Sequence, residues 1–367
     1  MFFIIPAIIL AFGFSGCKTS DSDEILPIVS PYSGIDWQNY GQYKAVLHAH
    51  TMNSDGVNLF WDVIEEHYNK NYDIVAIMDH DVLTIDWVSA ADGLTQERFT
   101  EISCGTDRDG RGMLQIPYTI EQSQAEHLNT FFVNYINPDN TTLGASIKRV
   151  EELGGISHIN HPGRYTGGEA GGINGENASN NPQNIQKYVD LFMEFPSCVG
   201  MEIINKKDGE STSDRILWDN ILKRTIPQGR YVWGFSNDDT HWNNDTGYSF
   251  NVFVMPENTL DNFKAAILSG SFYAVAKVSR RELGDSFEAE GPVPVITGIE
   301  VNNSARSVTI TAGHYSKIEW ISEGTVIAEG NTIRLENHEQ QTGCYIRANI
   351  IGPGGIAFTQ PFGINNN

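Results

Sequence analysis

The sequence predicts an α/β fold, a parallel sheet closed as a barrel or doubly wound, followed by a small antiparallel β-sandwich. Three observations carry this expectation. Between residues 42 and 280, short apolar runs of the kind buried on both sheet faces alternate with amphipathic helical segments. Near residues 291–294 (GPVP) the pattern changes to short segments of alternating polarity punctuated by Gly and Asn. The length of 367 residues suits one large domain and a small one, at roughly 150 residues per domain. Hydrophobic residues make up 40% of the chain and charged residues 19%, with 18 Phe, 14 Tyr and 7 Trp. That composition excludes disordered, collagenous and coiled-coil classes.

Taken in order, residues 1–16 (MFFIIPAIILAFGFSG) carry no charge, and their apolar run is too short for a comfortable membrane span. They read as a signal peptide. Cys17 follows Ser15 and Gly16 directly, which resembles a bacterial lipobox. The resemblance implies lipidation of Cys17 and export to the periplasm or the outer-membrane surface. The membrane would then be a partner through that lipid. Residues 17–40, opening CKTSDSDE, are the expected tether. Cys104, Cys198 and Cys344 remain, with no Cys-x-x-Cys pair, and are expected as free thiols.

The barrel-like region is expected over 41–290. Strands are predicted at 44–47, 73–78, 114–120, 128–135, 156–159, 200–204, 231–235 and 250–255. Helices are predicted at 58–69, 143–153, 185–195, 214–223 and 260–269. Residues 163–181 (GRYTGGEAGGINGENASNN) read as a long loop. An Ig-like sandwich is expected over 291–367, with strands at 308–312, 318–321, 332–335 and 344–350.

The formal net charge is −22, from 24 Lys+Arg against 46 Asp+Glu. Such a chain repels polymeric nucleic acid. A small anionic substrate stays compatible, because bound divalent ions reverse the local sign.

Most of the ten histidines fall in clusters at the C-terminal ends of predicted strands. One strand ends in Leu47-His48-Ala49-His50, with Asp55 five residues on. The next ends in Met78-Asp79-His80-Asp81. Glu121 closes another, His127 opens the following one, and the strand after Gly154-Gly155 ends in His158-Ile-Asn-His161. A late strand ends in Ser236-Asn-Asp-Asp239-Thr-His241. In a parallel barrel those ends share one face. The alternation of side chains along a strand points both rings of His48 and His50 to one side. Imidazole and carboxylate donors without a thiolate suit Zn, Mn or Fe, and so many donors suit two or three divalent ions per chain.

The runs LHAHTMNSDG, AIMDHD, EHL after Glu121, HINHPGR, MEIIN and NDDTH resemble, in that order over about residues 42–280, the polymerase-and-histidinol-phosphatase (PHP) family. The resemblance implies a distorted (β/α)7 barrel with a trinuclear metal centre that hydrolyses phosphoesters. By motif it places His48 and His50 on one ion with Glu121 and Asp239. Glu121 bridges to a second, held by His127 and His161, and Asp55, His80 and His241 hold the third. A small phosphorylated substrate follows, with Asp239 and His241 at the chemistry. Arg164, directly after His161-Pro-Gly, is positioned to bind a phosphate oxygen, and Lys206 is a second candidate. His158 is extra to the pattern and reads as a supporting or packing residue. Two other functions fit a metal-rich barrel: hydrolysis of a non-phosphate ester or amide, and non-catalytic binding at a surface.

Overall fold

The computed structural model describes residues 27–364. The signal-peptide and Cys17 expectations lie outside them. No helix among the described residues is long and apolar enough to cross a membrane.

Strand β1 (Ile28–Val29) is followed by β2 (Gly41–Val46), helix α1 (Phe60–Asn69) and β3 (Ile74–Val75). The next element, α2 (Gln96–Cys104), has no counterpart among the predicted helices. Only Ile102 of it is buried, so it shows no apolar periodicity; Thr95 caps its start and left-handed Gly105 ends it. The single strand expected over 114–120 is two, β4 (Leu114–Gln115) and β5 (Ile120–Gln122). Between them Pro117 lacks an N–H and Tyr118 has φ +52°.

Then come β6 (Leu128–Phe131), α3 (Leu143–Glu152) and β7 (Ile156–Ile159). The glycine- and asparagine-rich segment holds two short helices, α4 (Gly163–Thr166) and α5 (Gly172–Ser179), where a loop was expected. After α6 (Pro182–Glu194), β8 (Cys198–Asn205), α7 (Asp214–Thr225), β9 (Trp233–Asn237), β10 (Ser249–Met255), α8 (Leu260–Ser269), β11 (Phe272–Ala276) and α9 (Arg280–Leu283) complete this half.

Strands β2, β3 and β4 run parallel. So do β7, β8 and β9, to which β5 and β6 add antiparallel. The expected seven-stranded barrel is not closed by continuous ladders: among the described residues these two sheets meet at isolated bridges, Ala49 with Thr240 and His80 with Glu121 in parallel and Thr84 with Thr119 antiparallel. Buried asparagines replace backbone pairing at the gap. Asn237 Oδ1 accepts from Leu47 N at 3.0 Å, and Asn129 Nδ2 donates to Leu47 O at 2.9 Å. Asn251 exchanges two bonds with the Ser236 backbone, at 3.0 and 2.8 Å. Every buried backbone group needs a partner, and here side chains supply it.

The C-terminal strands are β12 (Val295–Asn302), β13 (Ser307–Gly313), β14 (Lys317–Ser322), β15 (Thr325–Glu329), β16 (Thr332–Arg334), β17 (Tyr345–Gly352), β18 (Gly355–Phe358) and β19 (Phe362–Ile364). The sheet β12-β13-β16 and the strands β14 and β17 share one apolar cluster, including Ile296, Val308, Ile310, Trp320 and Ile350. This is sandwich-like packing, but not a separate sheet pair. Strand β18 bonds to β11, Ala274 opposite Phe358, so one sheet runs through residue 291 into the first half.

The tether expected over 17–40 is also shorter than read. Ile28 pairs with Ile364, and Tyr32 is buried, its hydroxyl donating to Phe272 O at 3.0 Å and accepting from Gln360 N at 2.8 Å. Cys104, Cys198 and Cys344 are free thiols.

Candidate metal centre

The structure brings His48, His50, Asp55, His80, Glu121, His127, His161, Asp239 and His241 together. Their donor atoms form four overlapping groups, each compact within 4.8 Å: His50-Asp55-His80-His241, His48-His50-Asp239, His48-Glu121-His161 and His80-Glu121-His127. The two rings on the extended segment just after β2 point the same way, as alternation requires, with Nε2 of His48 3.1 Å from Nε2 of His50.

Glu121 is the hub. Its Oε1 lies 3.3 Å from His48 Nε2, 3.0 Å from His127 Nδ1 and 3.6 Å from His161 Nε2; its Oε2 lies 2.8 Å from His80 Nδ1 and 3.5 Å from His50 Nε2. Asp239 Oδ1 faces His50 Nε2 at 3.0 Å and His48 Nε2 at 3.4 Å. His241 Nε2 reaches Asp55 Oδ2 at 3.2 Å, and its Nδ1 sits 2.8 Å from the Asp239 carbonyl. The four donor groups depart from the implied partition among three ions: His50 also joins Asp55, His80 and His241, His48 falls with Glu121 and His161, and His80 falls with Glu121 and His127. His80 turns to Glu121 as well as to Asp55, since its ring lies between those of His50 (4.5 Å) and His127 (4.9 Å).

The chain positions these groups at some cost. His161 and Asp239 have φ of +26° and +48°, a region that non-glycine residues occupy with strain, and such strain gathers at functional sites. Asp55 rides on a turn held by Asp79, which accepts from Thr51 N, Thr51 Oγ1 and Ser54 Oγ, each at 2.7 Å. Gly56 closes that turn, where a Cβ would stand 2.8 Å from the backbone of His50. Asp79 is therefore no donor to the centre, and neither is Asp238. The Asp238 carboxylate accepts from the N–H groups of Gly247, Tyr248 and Ser249 and from Tyr72 Oη.

A second carboxylate layer backs the donors. Glu202 accepts from Asn237 Nδ2, Asn205 Nδ2 and His161 N, and lies 2.9 Å from His48 Nδ1. Asn160 Nδ2 donates to Glu121 Oε1 at 2.6 Å. Glu202 and Asn205, read only as part of a matching strand, thus support the centre directly.

The electrostatics follow from burial and charge. Burial opposes a charged His48, but Asp239, Glu121 and Glu202 outweigh it and hold its pKa well above the ordinary histidine value. Burial would raise Glu121 and Asp239, yet the surrounding imidazoles hold both well below the usual carboxylate range. Burial lowers His50. His158 stacks on Phe235 with centroids 4.5 Å apart; it is fully buried, and burial pushes its pKa down to about 4. It is a neutral packing residue. His67, on α1, is likewise buried and brought down to about 4.

The residues fit divalent ions. Glu121 Oε2 and Asp239 Oδ1 are buried and accept no well-formed hydrogen bond, although ring nitrogens surround both. Donors aimed at shared points rather than at one another, all N or O, match imidazole–carboxylate metal chemistry.

The two basic candidates change places. Arg164 is 46% exposed and its guanidinium faces Glu210 at 3.6 Å, not the donor set. It stands on α4, whose turn carries it outward from His161. Lys206, at φ +55° after β8, places Nζ 3.4 Å from Asp239 Oδ2 and 3.1 Å from Glu210 Oε1. Burial works against its charge, but Asp239 and Glu210 raise its pKa and keep it cationic.

No family model and no curated protein matches the chain. Among solved structures it is similar to a two-domain protein containing a predicted PHP-like metal-dependent phosphoesterase from Bacteroides vulgatus, at 15% identity over 91% of this chain and 89% of that one, with a TM-score of 0.45. It is similar to a lesion-specific endonuclease from Pyrococcus furiosus at 16% identity, covering 62% and 56%, with a TM-score of 0.37. It is also similar to an amidohydrolase from Chromobacterium violaceum at 14% identity, covering 54% and 87%, with a TM-score of 0.33.

Proposed function

We propose that this chain is a metal-dependent phosphoesterase acting on small organic phosphate mono- or diesters. The observation that carries the reading is the set of nine donor residues, buried Glu121 and eight others, with the Lys206 ammonium against Asp239 at its open side. Two or three divalent ions, Zn, Mn or Fe, fit that set; when bound they supply Lewis-acid charge that activates a water and offsets a phosphoryl group.

The chain's own groups do the rest. Glu121 and Asp239 stay ionised under burial and hold the centre together. Lys206 keeps its proton and presents Nζ to the adjoining cleft, where it binds a phosphoryl oxygen. The Asp239 carbonyl accepts the Nδ1 proton of His241, which fixes that ring and leaves Nε2 toward Asp55. Asp55, 52% exposed, stands at the mouth beside His80 and His241, where a leaving group departs. Residues 1–17 support an exported setting with a lipid on Cys17; a Cys17→Ala chain is expected to leave the membrane fraction.

The test is metal content together with turnover of p-nitrophenyl and bis-p-nitrophenyl phosphate by the full-length chain in detergent. Two to three ions per chain are expected, with activity reduced at least about 100-fold in His48→Ala and Asp239→Ala. Full metal loading without turnover of either ester would overturn the reading.

A further inference from the structure

The metal centre opens beside Asp239 and His241 into a cleft of about 500 Å³, far more than one phosphoryl group fills. Four carboxylates line it, Asp55, Asp238, Asp239 and Asp245, with three cations, Lys206, Lys207 and Arg280. The cations are not equivalent. Lys206, against Asp239 and Glu210, serves the phosphoryl group at the centre. Lys207 pairs with Asp245 at 3.0 Å. The exposed Arg280 side chain has no ion pair or hydrogen bond among the described residues.

Its mounting is nonetheless rigid. Arg280 N donates to Asp208 Oδ2 at 2.8 Å, Asp208 is clamped by buried Arg215 at 2.7 Å, and Arg215 holds Glu282 at 3.0 Å. Trp242, directly after His241, lines the same cleft and is 58% exposed. An exposed indole offers a face for a planar ring, and an unpaired guanidinium on an anchored backbone offers a fork for an anion. Both belong to the cleft that begins at the donors.

We infer that the preferred substrate is a phosphoester whose leaving group carries a planar ring and a second anionic group, with the ring on Trp242 and the second anion on Arg280. This rests on the phosphoesterase reading and narrows it. Fixing both ends of the substrate orients the scissile bond at the centre.

The experiment compares 2-naphthyl phosphate with 6-carboxy-2-naphthyl phosphate, which differ only in the second anion, using the metal-loaded full-length chain. The wild type is expected to favour the carboxylated ester about tenfold in kcat/KM, mostly through KM. Arg280→Ala is expected to reduce that preference to near unity, Arg280→Lys to retain part of it, and Trp242→Ala to raise KM for both esters. Equal treatment of the two esters by the wild type, or a preference that survives Arg280→Ala, would overturn the inference and leave the phosphoesterase reading standing. No turnover of either naphthyl ester by a chain that hydrolyses p-nitrophenyl phosphate would overturn this inference alone; no turnover of any of these esters would overturn both.

Discussion

Nδ1 of His48 lies 2.9 Å from Oε1 of Glu202, with both side chains fully buried. That contact directs the ring's other nitrogen at Glu121, Asp239 and His50. Carboxylates behind ligating histidines set their tautomer and basicity. Glu202→Gln removes no donor from the centre but is expected to weaken metal affinity about 10- to 100-fold, read by chelator competition. Unchanged affinity would mean that the Asn205 and Asn237 contacts alone hold the geometry.

Glu121 belongs to two of the donor groups and faces five histidines. Glu121→Gln keeps the shape and deletes the charge. At least one ion per chain is expected to be lost, by elemental analysis after dialysis, and turnover should drop by at least about 100-fold.

Metal binding should strengthen with pH. The buried carboxylates hold a proton on His48 above the ordinary histidine range, and an ion must displace it. Affinity is therefore expected to rise roughly tenfold per pH unit for each proton displaced, until pH passes the raised pKa. Calorimetry in buffers of different ionisation enthalpy would count the released protons. A binding constant flat between pH 6 and 8 would contradict a protonated His48.

His158 gives a separate acid signature. Its folded pKa is about 4, against roughly 6.5 unfolded. The unfolded chain takes up this proton first, so stability is lost as pH falls from about 6.5 to 4, by about 3 kcal/mol in all. Above 6.5 the residue contributes no pH dependence. His158→Phe should remove this part of the slope, read as denaturant midpoints at pH 7.5 and 4.5, with metal content unchanged.

Arg215 is buried between Asp208 and Glu282. Arg215→Leu leaves buried carboxylates without their cation and is expected to cost about 3–5 kcal/mol of stability in urea unfolding.

Much of the centre was legible because each donor pair sits at the end of an apolar run, where a parallel sheet gathers its chemistry. The motif resemblance picked His80 over Asp79 and Asp239 over Asp238, and the structure gives the reason. Alternation decides which of two neighbours faces inward, and the other neighbour pairs with Thr51 or with the Gly247–Ser249 backbone. Arg164 drew attention over Lys206 because it follows a histidine motif; the left-handed backbone that turns Lys206 inward has no sequence signature in a lysine. Asn129, Asn237 and Asn251 were unreadable for a different reason. Their partners, Leu47 just beyond β2 and Ser236 in β9, become neighbours only once the chain has folded. The same holds for β18, whose pairing with β11 joins segments about 80 residues apart.

The pairing of β1 with β19 has a topological consequence. Ile28 and Ile364 stand opposite one another in an antiparallel ladder, so the first and last strands form a hairpin that lacks only its turn. A two-residue Asn-Gly link from Ile364 to Ile28 has the right form to complete it. Circular permutants could then open the chain at an exposed loop with the donor set left intact. In the native order, a load applied between the two ends would peel this short ladder open one bond at a time, before it reached the strands that carry the centre.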